Sequence, residues 1–161
     1  MNVQKITLNL FDIFRLGYLR GIEPNTNISE LLPILGEPVE IQELRPLIDI
    51  NDGSKIICES YYYPNIQFSV YNGIIEHIYI ILIGNSRTKG LKLIGYNKFR
   101  KITRKKLRNY ILKNGGTITQ DRSFFEREWF ISYKIKEEGV WTYLRRGQKD
   151  YIQSFNYQCL D

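Results

Sequence analysis

Apolar positions along the chain follow two periods, and the switches between them divide it. Leu8, Phe11, Phe14 and Tyr18, with Ile13 beside them, recur near helical spacing before Gly21, which predicts a helix over 8–20. Asn27, with Glu30 three residues on, forms a capping-box pair ahead of Ile28, Leu31, Leu32 and Leu35. A second helix is therefore expected, closed by Gly36 and kept from continuing by Pro38. Pro33 sits in its body without a backbone donor, so a distorted or shortened helix is expected there.

Period two follows. Residues 44–53 read as a loop, and strand-like runs occupy 54–62, 66–71 and 74–83. Ile66, Phe68 and Val70 share one face by strict alternation, while 74–83 is apolar on both faces and reads as a central strand. Asn72-Gly73 joins these two runs as a type I′ hairpin, which needs positive φ at both positions. Residues 84–99 read as a basic connector with weak strand character around 91–94. Thr103 then caps a helix to about Lys113, with Leu107, Tyr110 and Ile111 as its apolar stripe and Asn114-Gly115-Gly116 as its stop. Strands resume at 117–120, 127–135, 140–145 and 151–157; Trp129, Ile131, Tyr133 and Ile135 alternate inward, and 136–139 turns the chain.

Helix, glycine stop and antiparallel strands thus occur twice. The expected architecture is α+β with antiparallel sheet, in two related lobes, 1–83 and 100–161, joined by the connector 84–99. At 161 residues the chain makes one compact domain and buries roughly 70% of its unfolded surface. Neither metal nor disulfide is needed to hold such a core. Cys58 and Cys159 are too few and too distant for a disulfide framework and read as free thiols. The N-terminus carries acids and amides where an export signal needs an apolar run, and 74–83 is about half the roughly 20 residues that span a bilayer. A cytoplasmic protein without membrane contact is the expectation.

Charge is polarised along the chain. Residues 1–80 hold five Lys/Arg against ten Asp/Glu, a net of −5, and 81–161 hold eighteen against seven, a net of +11, which together recover +6. Between Glu76 and Asp121 stand eleven Lys/Arg and no acid.

Candidate chemistry is sparse. His77 is the one histidine, which excludes a two-histidine metal site and a histidine acid–base pair. Cys58, Cys159 and His77 have no metal-ligand spacing. Glu126 and Glu128 suit a surface ion network with Arg122 and Arg127, and Glu137 and Glu138 fall in a turn. Asp49, Asn51, Asp52 and Gly53 are one residue short of a calcium loop and suit an Asx turn better. Gly115-Gly116 follows a helix, the wrong end for cradling phosphate. No cofactor, no metal and no enzymatic activity are expected. The basic block is either a solvated helix face, a docking surface for an acidic protein, or a nucleic-acid site with Tyr96 and Phe99 as stacking platforms. Arg100, Lys101, Arg104, Lys105 and Arg108 are its candidate anchors.

Residues 14–38 (FRLGYLRGIEPNTNISELLPILGEP) carry Gly17, Ile22-x-Pro24, a capped helix and Leu35-Gly36-x-Pro38. This pattern resembles small bacterial immunity-like proteins found beside polymorphic or contact-dependent toxins. Their following strands, of the form YGxLEF and IxLI, are similar to 63–68 and 78–82 here. Small lipoproteins of the outer-membrane barrel assembly machine share a similar module, but the signal and lipidated cysteine of that group are missing. Pro33 within the helix and Pro64 in place of a glycine depart from the family pattern. The resemblance covers about residues 8–83 and implies a cytosolic protein that blocks a toxin domain by contact, with no catalytic residues. Binding of nucleic acid through 87–113 is the alternative.

Overall fold

Two capped helices, each followed by a four-strand meander, set the architecture. The computed structural model describes residues 5–16, 19–23, 25–82, 84–114, 117–125, 128–135, 140–145 and 154–158. The first half holds β1 (Ile6–Asn9), α1 (Leu10–Leu16), α2 (Ile28–Leu35), β2 (Glu40–Glu43), β3 (Leu47–Ile48), β4 (Lys55–Ile56), β5 (Cys58–Tyr62), β6 (Ile66–Tyr71) and β7 (Ile74–Ile81). The second holds β8 (Leu91–Ile94), α3 (Tyr96–Phe99), α4 (Arg104–Lys113), β9 (Ile118–Phe125), β10 (Glu128–Ile135), β11 (Val140–Arg145) and β12 (Ser154–Gln158). Each half runs strand, helix, capped helix, meander, and the first half adds the small β3–β4 hairpin.

The meanders form one eight-stranded antiparallel sheet, ordered β2-β5-β6-β7-β12-β11-β10-β9. They meet last strand to last strand, with Tyr79 opposite Asn156 at the middle of the β7–β12 seam. A separate parallel pair, β1 with β8, brings Leu8 opposite Leu93. The fold is α+β with antiparallel sheet.

Local chemistry accounts for most elements. Asn27 Oδ1 accepts from the Ser29 N–H at 3.0 Å and Glu30 Oε1 from the Asn27 N–H at 3.4 Å, which completes the capping box of α2. Despite Pro33, α2 is continuous through Leu35, because the proline lies on an exposed face close to the helix end. Asn72 and Gly73 have φ of 49° and 84°, as a type I′ turn requires. In β7 a bulge leaves Glu76 unmatched: Ser69 pairs with His77 but Val70 with Ile75. That extra residue changes the parity, so Ile75, Ile78 and Ile80 all reach one core although the run is apolar throughout.

The structure departs from the sequence reading at the N-terminus and at the expected connector. Residues 6–9 are strand and the helix begins only at Leu10, because Ile6 and Leu8 alternate inward against β8. Within segment 84–99, β8 forms where strand character was expected, whereas α3 and the burial of Tyr96 and Phe99 depart from the reading as a connector. Gly95, at φ 85°, makes the turn between them against the Phe11 ring, which an added Cβ would approach to 2.7 Å. The core draws on both halves: Leu8, Ile13, Leu35, Phe68, Ile78, Phe99, Leu107 and Ile111 form one buried cluster. Tyr18, Cys159, Glu126 and the 136–139 turn lie outside the described residues.

Candidate functional site

Thr103 starts α4 by accepting from the Lys106 N–H at 3.4 Å through Oγ1. Leu107 and Ile111 face the core and Tyr110 covers its margin, which turns Lys105, Lys106 and Arg108 outward. Of the expected anchors, Lys101, Lys105 and Arg108 are exposed, and Arg100 and Arg104 are half-buried. Arg100 ends α3 and Lys101 takes a left-handed φ of 59° in the corner between α3 and α4, so the five lie on one continuous corner of chain. Among the described residues Lys101, Lys105, Lys106 and Arg108 have no carboxylate partner. The first turn of α4 is Arg104, Lys105, Lys106 with no acid. Cations there oppose the helix dipole at roughly 0.3–1 kcal/mol each. Helix stability alone would place the opposite charge at these positions.

Tyr96 and Phe99 are not available for base stacking. Both are buried, and Phe99 packs with Phe11 at 5.3 Å and Tyr110 at 5.5 Å between ring centroids. The Lys98 ammonium stands over Tyr110 at 4.4 Å and Phe11 at 5.1 Å.

Beneath β8 and α3 lies a cleft of ≈ 540 Å³. Lys5, Arg87, Lys92 and Lys98 line it together with the amides Asn65 and Asn97, and among the described residues no carboxylate does. Asn65 is held by Thr88, whose N–H and Oγ1 both donate to its Oδ1 at 3.0 and 2.6 Å. Tyr96 also lines the cleft; it is 7% exposed, and its hydroxyl has no hydrogen-bond partner among the described residues. Leaving such a group unpaired costs about 1–3 kcal/mol. Burial pushes the Tyr96 phenol upward, against the pull of the Arg100 and Arg87 guanidinium groups.

A third feature was not anticipated from the sequence. β2 forms one edge of the large sheet, and the chain then leaves as the β3–β4 hairpin. Val39, Ile41, Leu44, Leu47, Ile48, Ile50 and Ile57 are all exposed along this arm, Ile50 at 96% and Val39 at 76%. Residues 37–59 carry six acids against Arg45 and Lys55. At the arm's tip Asp49 Oδ1 accepts from the Asn51 N–H and Asp52 Oδ1 from the Ser54 N–H, each at 2.8 Å, the geometry of Asx turns. The Ser54 N–H also holds the Asp52 carboxyl below its usual range. An alternation at Val39 and Ile41, with Glu40 between them, was the available sequence signal.

His77 lies between Tyr71 and Tyr79, with ring centroids at 6.4 and 6.3 Å, and burial pushes its pKa down. Cys58 is a buried free thiol. Among the described residues no group of three His, Cys, Asp or Glu could hold a metal ion, and no helix is long and apolar enough to cross a membrane.

No family model, curated protein or solved structure matches the chain.

Proposed function

We propose that the chain is a non-catalytic protein-binding protein, acting in the cytoplasm as an immunity-type inhibitor that docks on a toxin domain. The observation that carries the protein-binding reading is the apolar arm. Among the described residues the second half builds a helix-and-meander unit without such a hairpin, so that unit can form without β3–β4. Its exposed Ile, Leu and Val side chains cost solubility, and an unpaired edge strand invites another chain. Both features favour a protein partner over a nucleic acid, because the carboxylates of 37–59 repel phosphate. Arg100, Lys101, Arg104, Lys105 and Arg108 then steer and orient an acidic patch of the same partner, which raises association rate more than affinity. The toxin as partner class rests on the resemblance of residues 14–38 alone.

The test is site-specific photocrosslinking in the native host, with the reactive group at position 50 or 105, followed by co-expression of the captured protein. One partner crosslinked from both positions, whose toxicity the chain suppresses, is the expected result. Capture of no protein from position 50 refutes the docking reading.

A second reading has one observation behind it, the acid-free cationic face of α4. Nucleic-acid binding there would weaken steeply with salt. Labelled DNA and RNA titrated at two salt concentrations decide it, and no binding at low salt removes it.

A further inference from the structure

We propose that the cleft between Lys5, Asn65 and the β8–α3 turn binds a small phosphorylated metabolite, with Arg87 and Lys92 engaging its phosphoryl oxygens. The site shares no residue with the arm or with the five cations assigned to partner docking, and it stands whether or not that assignment does. Three observations meet here. Four cations line one concavity and no described carboxylate offsets them, so the cleft holds a positive potential that an anion would neutralise. Its volume of ≈ 540 Å³ lies within the range of small-molecule sites. Finally, among the described residues Tyr96, which lines this cleft, carries a buried hydroxyl without a partner, while the other buried side-chain polar atoms are satisfied.

Phosphoryl groups fit this donor set better than a lone carboxylate. Each offers three strong acceptor oxygens and up to two charges, matching an arginine fork with lysines around it. Tyr96 lines the same cleft, and a ligand oxygen within reach of its hydroxyl would supply the acceptor it lacks. Asn65 is fixed by Thr88 through Oδ1, which leaves its Nδ2 as a donor in place. Leu91 and Leu93 supply an apolar wall for the uncharged part of the ligand. Lys5 precedes β1 while Arg87 and Lys92 belong to the β8 segment, so a bound anion would also tie the parallel β1–β8 pair together.

Calorimetric titration of the full chain with inorganic pyrophosphate, at about 0.15 M salt, tests the proposal. Saturable binding of one pyrophosphate per chain is expected. Arg87→Gln combined with Lys92→Gln should weaken it about tenfold or more, and both residues are exposed, so the fold is untouched. Tyr96→Phe keeps the ring, removes the hydroxyl, and should weaken binding measurably. Lys106→Gln with Lys113→Gln removes the same charge from α4 and should leave the affinity as it was. Absence of saturable binding at millimolar pyrophosphate overturns the proposal. So does an equal loss in the α4 control pair, which would reduce the effect to net charge. Citrate binding as tightly as pyrophosphate overturns the assignment to phosphoryl groups.

Discussion

Replacing Lys106 with Glu should stabilise the protein while weakening its grip on an acidic partner. Lys106 is the third residue of α4 and its N–H already donates to Thr103 Oγ1. Glu at that position would return a bond to the Thr103 N–H, completing the reciprocal cap that Asn27 and Glu30 make on α2. It would also replace a cation that opposes the helix dipole with an anion that complements it, each change contributing roughly 0.3–1 kcal/mol. Together with the added bond the gain is about 1–2 kcal/mol at low ionic strength. For a chain of this length that raises Tm by about 2–8 °C. The related cap on α2 gives the mirror experiment, Glu30→Lys, which should lose a similar amount. Urea denaturation followed by circular dichroism reads both, and part of each effect should fade in high salt. A midpoint that falls or stays fixed in K106E, with the slope unchanged, would refute the claim that α4 carries charge against its own stability.

Three further outcomes follow from the same geometry. Leu107 is fully buried on the other side of α4, so Leu107→Ala should cost about 2–5 kcal/mol in denaturant melts. Ile48→Lys with Ile50→Lys, at 62% and 96% exposure, should leave stability within about 0.5 kcal/mol, since neither side chain is buried on folding. The same pair should shorten retention on a hydrophobic-interaction column and cost the complex about 1.5–3 kcal/mol for each residue that the partner covers; a large loss of stability would instead make the arm part of the core. Tyr63 donates to the Gly36 carbonyl at 3.0 Å and its phenol is pushed up to about 12, chiefly by burial and by the nearby Glu37. With the folded value above the ordinary 10.0, its contribution is complete below pH 10 and is lost as pH rises toward 12. Tyr63→Phe should flatten the stability profile in that window, and an unchanged slope would contradict the assignment.

What could be read from sequence was what short-range chemistry decides. The caps at Asn27 and Thr103, the Asn72-Gly73 turn and the Asx turn at 49–54 depend on neighbours a few residues away, and each formed as its side chains dictate. β1 was hidden because its partner is β8, across the midpoint of the chain, and its four residues blend into the apolar spacing of α1. The bulge at Glu76 likewise made a one-sided strand look apolar on both faces. The positions of Arg104, Lys105 and Arg108 on α4 were legible, but not α3 or the corner that carries Arg100 and Lys101. Nor was the cleft legible, because only the tertiary fold brings Lys5 and Asn65 beside Arg87 and Lys92. The arm escaped because the alternation at Val39 and Ile41 shows a strand but not that its apolar face is left exposed.

The seam between β7 and β12 has a consequence for how the chain is made. Each half lends the other a neighbour twice, β1 to β8 and β7 to β12, so neither half can close its own hydrogen-bond ladders. A ribosome releasing residues in order leaves β1 bare until β8 emerges, and β7 bare until β12, the last described strand, emerges to cover it. Through that interval the nascent chain must be kept from pairing with copies of itself, and premature termination anywhere before residue 154 would leave an adhesive fragment instead of a smaller working protein.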